Sequence, residues 1–263
     1  MRVFVVLLSL VLLLACRESP EELVHKAIAL REQGRYQEAK KILEEALAIE
    51  PTATAYKELG NYYLIAEGNL DEAERNYQAS LKLNPTYLNA LHNMGTVYLN
   101  RYEKTQDDRG RGNKQYLDTA YQYLKQAMEQ NPNFGLTHQE LARYFFYAGQ
   151  IPQALESIEK AIKLEPKSAR AYLIAGQLYL KGKKDLKTAH EYFERAYAFD
   201  RKLPDVLYYL HLTSRKQNKT EDAIFYESEY RKLLEERNLT PEEIQSAMGE
   251  LRKGGSLPHF NIK

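Results

Sequence analysis

The sequence predicts an all-α fold: a solenoid of stacked antiparallel helix pairs. Three observations predict it. Ala39, Ala73, Ala120, Ala154, Ala189 and Ala223 stand in the same local frame, at intervals of 34, 47, 34, 35 and 34 residues. Pro51, Pro85, Pro132 and Pro166 keep the same beat, 34, 47 and 34. Around each alanine the apolar residues recur at helical spacing, as in Ala39, Leu43 and Ala46, which places them on one helical face. A period of 34 marks a repeat protein built from helix pairs. A unit of that size cannot bury its own apolar face, so neighbours stack into one continuous core.

The N-terminus, MRVFVVLLSLVLLLAC, has one arginine, an apolar run from Val3 to Ala15, and then Cys16. This run of 13 residues falls short of the roughly 20 that a spanning helix needs. The form is that of a secretory signal peptide over 1–15. Leu13-Leu14-Ala15-Cys16 resembles a bacterial lipobox. That resemblance implies that Cys16 becomes the lipidated N-terminus, followed by a short linker over 16–19. Several acyl chains make such an anchor stable. Arg17, where an aspartate would be the retention signal of the enterobacterial sorting pattern, implies the outer membrane, facing the periplasm. Cys16 is the only cysteine, so a disulfide within one chain is excluded.

Six repeats follow over 20–235: about 20–52, 53–86, 87–133, 134–167, 168–202 and 203–235. The second helix of each reads as in GRYQEAKKILEEALAIEP (34–51) or GQIPQALESIEKAIKLEP (149–166). Proline ends it because the ring removes a hydrogen-bond donor and clashes with the preceding turn. The first helix reads as a large residue, a Leu-Gly-like pair and an aromatic: Tyr56, Leu59, Gly60 and Tyr63, or Tyr172, Ala175, Gly176 and Tyr179. Glycine inside a helix costs about 1 kcal/mol relative to alanine, so its recurrence implies close helix packing. The first repeat is looser, and the sixth has His211 where a small residue belongs. Repeats two and five carry one extra residue before the second helix, which the inter-helix turn is expected to absorb. Repeat three carries an insert over 102–114, YEKTQDDRGRGNK, polar and without apolar periodicity, expected to be an exposed loop.

Thr240-Pro241-Glu242-Glu243 reads as a helix start, with threonine as cap, proline in the first turn and glutamate three residues on. The helix it opens, 240–253, is expected to cap the solenoid, since a terminal repeat needs a polar outer face. Gly254-Gly255 ends it, and 254–263 is expected to be a flexible tail.

The spacing resembles the tetratricopeptide repeat (TPR) pattern, W-x2-L-G-x2-Y…A-x3-F…P, over roughly 20–235, with Tyr or Leu in place of the missing tryptophan. The resemblance implies a right-handed superhelix whose first helices line a concave groove. The residues it places there include Lys57 and Asn61; His92 and Thr96; Gln139, Arg143, Phe146 and Tyr147; Gln177; and Tyr208 and Arg215. Aromatic and arginine side chains dominate binding hot spots, which favours Arg143, Phe146, Tyr147, Tyr208 and Arg215 as contacts. Lys57, Asn61 and Asn93 match part of the carboxylate clamp of chaperone-binding members, but Leu136 and Glu140 stand where its other cations belong. The match is read as coincidence.

Composition excludes other classes. The chain has 37 basic and 36 acidic residues, and the leader takes Arg2 with it, so the mature chain is neutral. Nucleic-acid binding leaves a basic footprint, and none is evident. No histidine pair has metal-ligand spacing on one helix, and no G-x-S-x-G elbow is present. The expectation is a non-catalytic scaffold with no metal, cofactor or small-molecule substrate, whose partners are envelope proteins. By architecture alone it is also similar to the pilotins, lipidated TPR proteins of type IV pilus assembly that aid the secretin. A further alternative is an anchored enzyme or ligand binder using Asp107, Asp108, Arg109 and Arg111 of the insert.

Overall fold

The computed structural model describes residues 18–107, 110–237 and 239–253. Cys16 and the tail over 254–263 lie outside these. Thirteen α-helices are seen among the described residues: α1 (Pro20–Glu32), α2 (Tyr36–Ile49), α3 (Ala53–Tyr62), α4 (Leu70–Leu83), α5 (Leu88–Lys104), α6 (Lys114–Gln130), α7 (Gly135–Tyr147), α8 (Ile151–Leu164), α9 (Ala169–Gln177), α10 (Leu186–Phe199), α11 (Pro204–Lys216), α12 (Thr220–Glu236) and α13 (Pro241–Lys253). The described residues contain no strand, and none of their helices is long and apolar enough to cross a membrane. The chain forms two compact units, the first up to Ala90 and the second from Leu91.

The first unit holds the helix pairs α1–α2 and α3–α4. Ser19 accepts a hydrogen bond from the Glu22 amide, and Glu22 accepts one from the Ser19 amide, so two orphan donors at the start of α1 are satisfied. Thr52 and Asn69 accept from the first turns of α3 and α4 in the same way. The core is Leu23, Val24 and Ala27 of α1, Ala39, Leu43 and Ala46 of α2, and Ala55, Leu59 and Tyr62 of α3. A methyl group on Gly60 would come within 2.5 Å of the Tyr77 ring, so this glycine is what lets α3 lie against α4.

The second unit holds α6, α7–α8, α9–α10 and α11–α12, with α13 at its end. The same fit recurs: Gly95 faces Leu124, and Gly176 lies against the Phe193 ring. The large residue four after the repeat alanine fills the space that the glycine leaves. Repeat six solves the packing differently. Its residue at that place, Glu227, bonds outward to Arg252 (2.7 Å). His211 is buried in the core and pairs with the Ala223 carbonyl (2.9 Å). Thr240 caps α13, whose Ile244, Ala247, Met248 and Leu251 join the core of α11 and α12. This is the expected capping helix.

Two sequence expectations are corrected. The extra residue of repeats two and five is not taken up in the turn. It widens the end of the first helix into a π turn, Tyr63–Glu67 after α3 and Leu178–Lys183 after α9. In repeats one, four and six the closing amide reaches five residues back, as Gln150 to Phe145 (2.8 Å). In repeats two and five it reaches six back, Asn69 to Tyr63 and Asp185 to Tyr179, both 2.9 Å. The closure is the same motif one residue longer, which keeps the Asn69 and Asp185 amides paired. The second correction concerns the insert. Tyr102–Lys104 continue α5, and Lys114 already starts α6. Tyr102 is buried against Leu99 and Leu117, with its ring 5.2 Å from that of Tyr147. Its aromatic ring gains more from this packing than from solvent, so the loop shrinks to 105–113, of which Asp108 and Arg109 are not described. Gly112 makes the closure possible, since a methyl group there would meet the Tyr102 carbonyl at 2.5 Å.

Candidate functional site

In the second unit the first-helix face carries a row of charges. Arg143 on α7 donates to Glu103 on α5 (2.7 Å), to Asn100 on α5 (3.0 Å) and to Glu140 one turn before it on α7. Glu140 also accepts from Arg170 on α9 (2.9 Å). Tyr147, one turn beyond Arg143, donates its hydroxyl to Glu103. Spacings of i, i+3 and i+4 on α7 put Glu140, Arg143 and Tyr147 in one file, and the fold brings α5 and α9 within reach of it.

The electrostatics follow from burial and pairing. Burial pushes the Glu140 carboxyl up, but Arg143 and Arg170 outweigh it and hold it at about 2. Burial opposes the charge of Glu103 as well, and Arg143 keeps its carboxyl below the usual range. Burial disfavours the Arg143 cation, but its two carboxylates raise it well above the ordinary value. His92 lies beside the row, edge-on to Phe134 (5.5 Å) and 3.4 Å from the Thr137 hydroxyl. Burial brings it down to about 4, so it is neutral at pH 7.

The first unit has a smaller counterpart. Glu58 on α3 accepts from Arg31 on α1 (3.0 Å), from Asn61 (3.1 Å) and from Lys57. Tyr77 donates to Asn61 (2.8 Å). Arg31 and Glu58 also border a small crevice with Tyr36 and Tyr62.

The candidate contacts therefore divide. Lys57 and Asn61 come together on Glu58, and Arg143 and Tyr147 on Glu103. Lys57, His92, Gln139 and Tyr208 are buried; Gln139 bonds to Glu165 and Ser168. Thr96, Phe146, Tyr147 and Gln177 are half-buried. Arg215 is exposed, and it donates to the Arg252 carbonyl near the end of α13, so it ties the cap down. In the insert, Arg111 closes on Asp107 (2.7 Å). Sequence reading missed Glu58, Glu103, Asn100 and the binding partner role of Glu140. A signal for two of them exists: Glu58 and Glu140 occupy the same place in their repeats, two residues before the small residue at 60 and 142.

A family model described as Tetratricopeptide repeat matches residues 25–96 and 140–204, just over half of the chain. Among curated proteins, the human antiviral innate immune response effector IFIT1 is 27% identical over 148 residues, 53% of this chain and 31% of that protein. Human tetratricopeptide repeat protein 13 is 28% identical over 163 residues, 62% of this chain and 18% of that protein. The chain thus spans less than a third of the length of these relatives. Among solved structures, a thermophilic TPR protein of Thermus thermophilus is similar at a TM-score of 0.64 and 24% identity, covering 74% of this chain and 98% of that one. PilF of Pseudomonas aeruginosa gives 0.58 and 18%, covering 88% and 97%. PilW, a type IV pilus biogenesis factor, gives 0.62 and 16%, covering 86% and 97%. With the helix pairs, the Gly-to-aromatic packing and the family match in agreement, this chain belongs to the tetratricopeptide repeat family.

Proposed function

We propose that the chain is a non-catalytic scaffold, anchored to the bacterial envelope by a lipid on Cys16 and holding a partner peptide or helix along its first-helix face. The TPR fold is one of protein–protein interaction, and it carries the coarse reading. The single observation that supports the finer one is the charged row of the second unit, with Tyr147 bonded to it and Phe146 and Gln177 half-buried on the same first helices. Such a mixed polar and aromatic surface suits a peptide. The anchor rests on Leu13-Leu14-Ala15-Cys16.

The test is a crosslinked pull-down of the lipidated protein from its own membranes, with Phe146→Ala/Gln177→Ala as control. Arg143 and Arg215 are unsuitable controls, since both hold structure together. One envelope protein enriched with the parent and lost with the control supports the reading; unchanged enrichment in the control sinks the assignment of the face. Cys16→Ser should release the protein from membranes, and retention would refute the lipid anchor.

A second reading is a pilotin-like lipoprotein of type IV pilus assembly. It draws on the lipobox with six repeats, and on the likeness of fold to PilF and PilW over nearly their whole length. Deleting the gene should then deplete secretin multimers from the outer membrane. Normal multimers would remove this reading.

A further inference from the structure

Four side chains from three successive first helices form one alternating row in the second unit: Glu103 on α5, Arg143 and Glu140 on α7, and Arg170 on α9. The two inner members are consumed. Each touches an opposite charge on both sides, and their side chains are only 11% and 3% exposed. The outer members meet one opposite charge each among the described residues, and their exposure rises to 36% for Glu103 and 54% for Arg170. Asn100 and the Tyr147 hydroxyl add hydrogen bonds to the row but no charge at neutral pH. A row of zero net charge therefore presents a negative end at α5 and a positive end at α9. Phe146, one turn beyond Arg143 on the same helix, is half-buried against the core of α8 and α9.

We infer that this row reads the polarity of its partner: it takes an extended segment with a basic and an acidic residue about three or four positions apart, the base on Glu103 and the acid on Arg170. The inference rests on the scaffold reading above. Three hydrogen bonds of 2.5–2.9 Å link the ends through one guanidinium and one carboxylate, each about 2.3 Å across, so the ends lie within about 13 Å of each other. An extended chain rises about 3.3 Å per residue, which sets the spacing. A segment with two like charges meets repulsion at one end, so the row selects against it as well as for its own partner.

Three capped eight-residue peptides test this. They share one Ser/Ala/Leu body and differ only at positions two and six, which carry Lys and Asp, Lys and Lys, or Asp and Asp. Binding to the full chain is read by fluorescence anisotropy at low salt. Each matched end should gain about 2- to 5-fold in affinity, as for partly exposed ion pairs, so the mixed peptide binds tightest. Arg170→Gln should erase its advantage over the Lys/Lys peptide, and Glu103→Gln its advantage over the Asp/Asp peptide. Thermal melts confirm that both variants fold. Equal affinities, a like-charged peptide binding tightest, an order that neither variant changes, or no binding of the mixed peptide would each overturn the inference. If the pull-down partner is lost with Phe146→Ala/Gln177→Ala but the peptides do not discriminate, the polarity reading fails and the scaffold stands. If the partner is retained, the assignment of the face on which both readings stand fails.

Discussion

Glu58 in the first unit and Glu140 in the second stand at the same place in their repeats, and both carboxylates are buried. Their partners differ. Glu58 takes two cations, Lys57 from its own helix and Arg31 from the helix pair before it. Glu140 takes Arg143 from its own helix and Arg170 from the helix pair after it, and Arg143 is shared with Glu103. One cluster is closed with an excess positive charge; the other is open-ended and neutral. The repeat thus fixes where a charge is buried, while neighbouring repeats decide what neutralises it. The difference also separates structure from recognition. In the second unit the inner pair maintains the fold, and the outer pair is left to meet a partner.

The largest effect is expected at the shared cation. Arg143→Met leaves Glu103 without its cation and Glu140 with only the half-exposed Arg170. Breaking a buried pair typically costs 3–5 kcal/mol, so urea denaturation should show a loss of about 3 kcal/mol. A loss under about 1 kcal/mol would mean that the row is decoration rather than structure.

The seats behind the two carboxylates should respond in different ways. Gly60 stands behind Glu58 and touches the Tyr77 ring, while Ala142 stands behind Glu140 in a core with Ile158. Gly60→Ala should destabilise by about 1–3 kcal/mol through overpacking, despite the better helix propensity of alanine. Ala142→Gly should cost about 1 kcal/mol from propensity alone. If Gly60→Ala raises the melting temperature, the close packing of α3 on α4 is wrong.

Acid should act on the second cluster in two stages. His92 is depressed to about 4 from 6.5, so the unfolded chain binds its proton first; the stability it contributes is complete above 6.5 and is lost as pH falls toward 4. Glu140 is depressed to about 2 from 4.5, so its contribution is present above 4.5 and is lost as pH falls toward 2. Denaturation midpoints at pH 7, 5 and 3 check this. His92→Phe should flatten the first interval and Glu140→Gln the part below 4.5; unchanged slopes would refute the assignment.

The smallest effects belong to the outer cations. Arg31, 27% exposed, and Arg170, 54% exposed, each hold one end of a buried carboxylate. Arg31→Ala should cost about 1 kcal/mol and Arg170→Ala about 0.5 kcal/mol, within the range of partly exposed pairs. The reverse order would refute exposure as the cause of the difference between the two pairs.

The sequence by itself determined the helix pairs, their register and their close approach. Each follows from residues within one repeat: the alanine ruler, Pro51 and its equivalents, and Gly60, Gly95 and Gly176 facing Tyr77, Leu124 and Phe193. Periodicity assigns a face to a side chain, and that is a local property. What the face does was decided only by tertiary structure. Lys57, Gln139 and Tyr208 lie one turn before the place that Asn61, Thr96 and Gln177 take in their repeats, on the same expected face, yet they are buried. Arg143 and Tyr147 read as contacts, yet they hold Glu103, 40 and 44 residues earlier. Even the single-residue insertions of repeats two and five went into helix ends rather than turns. The reason is common to all of these. A lining side chain finds its partner one helix pair away, and a buried charge must find one. Which neighbour supplies it depends on distances across the stack that no spacing along the chain contains.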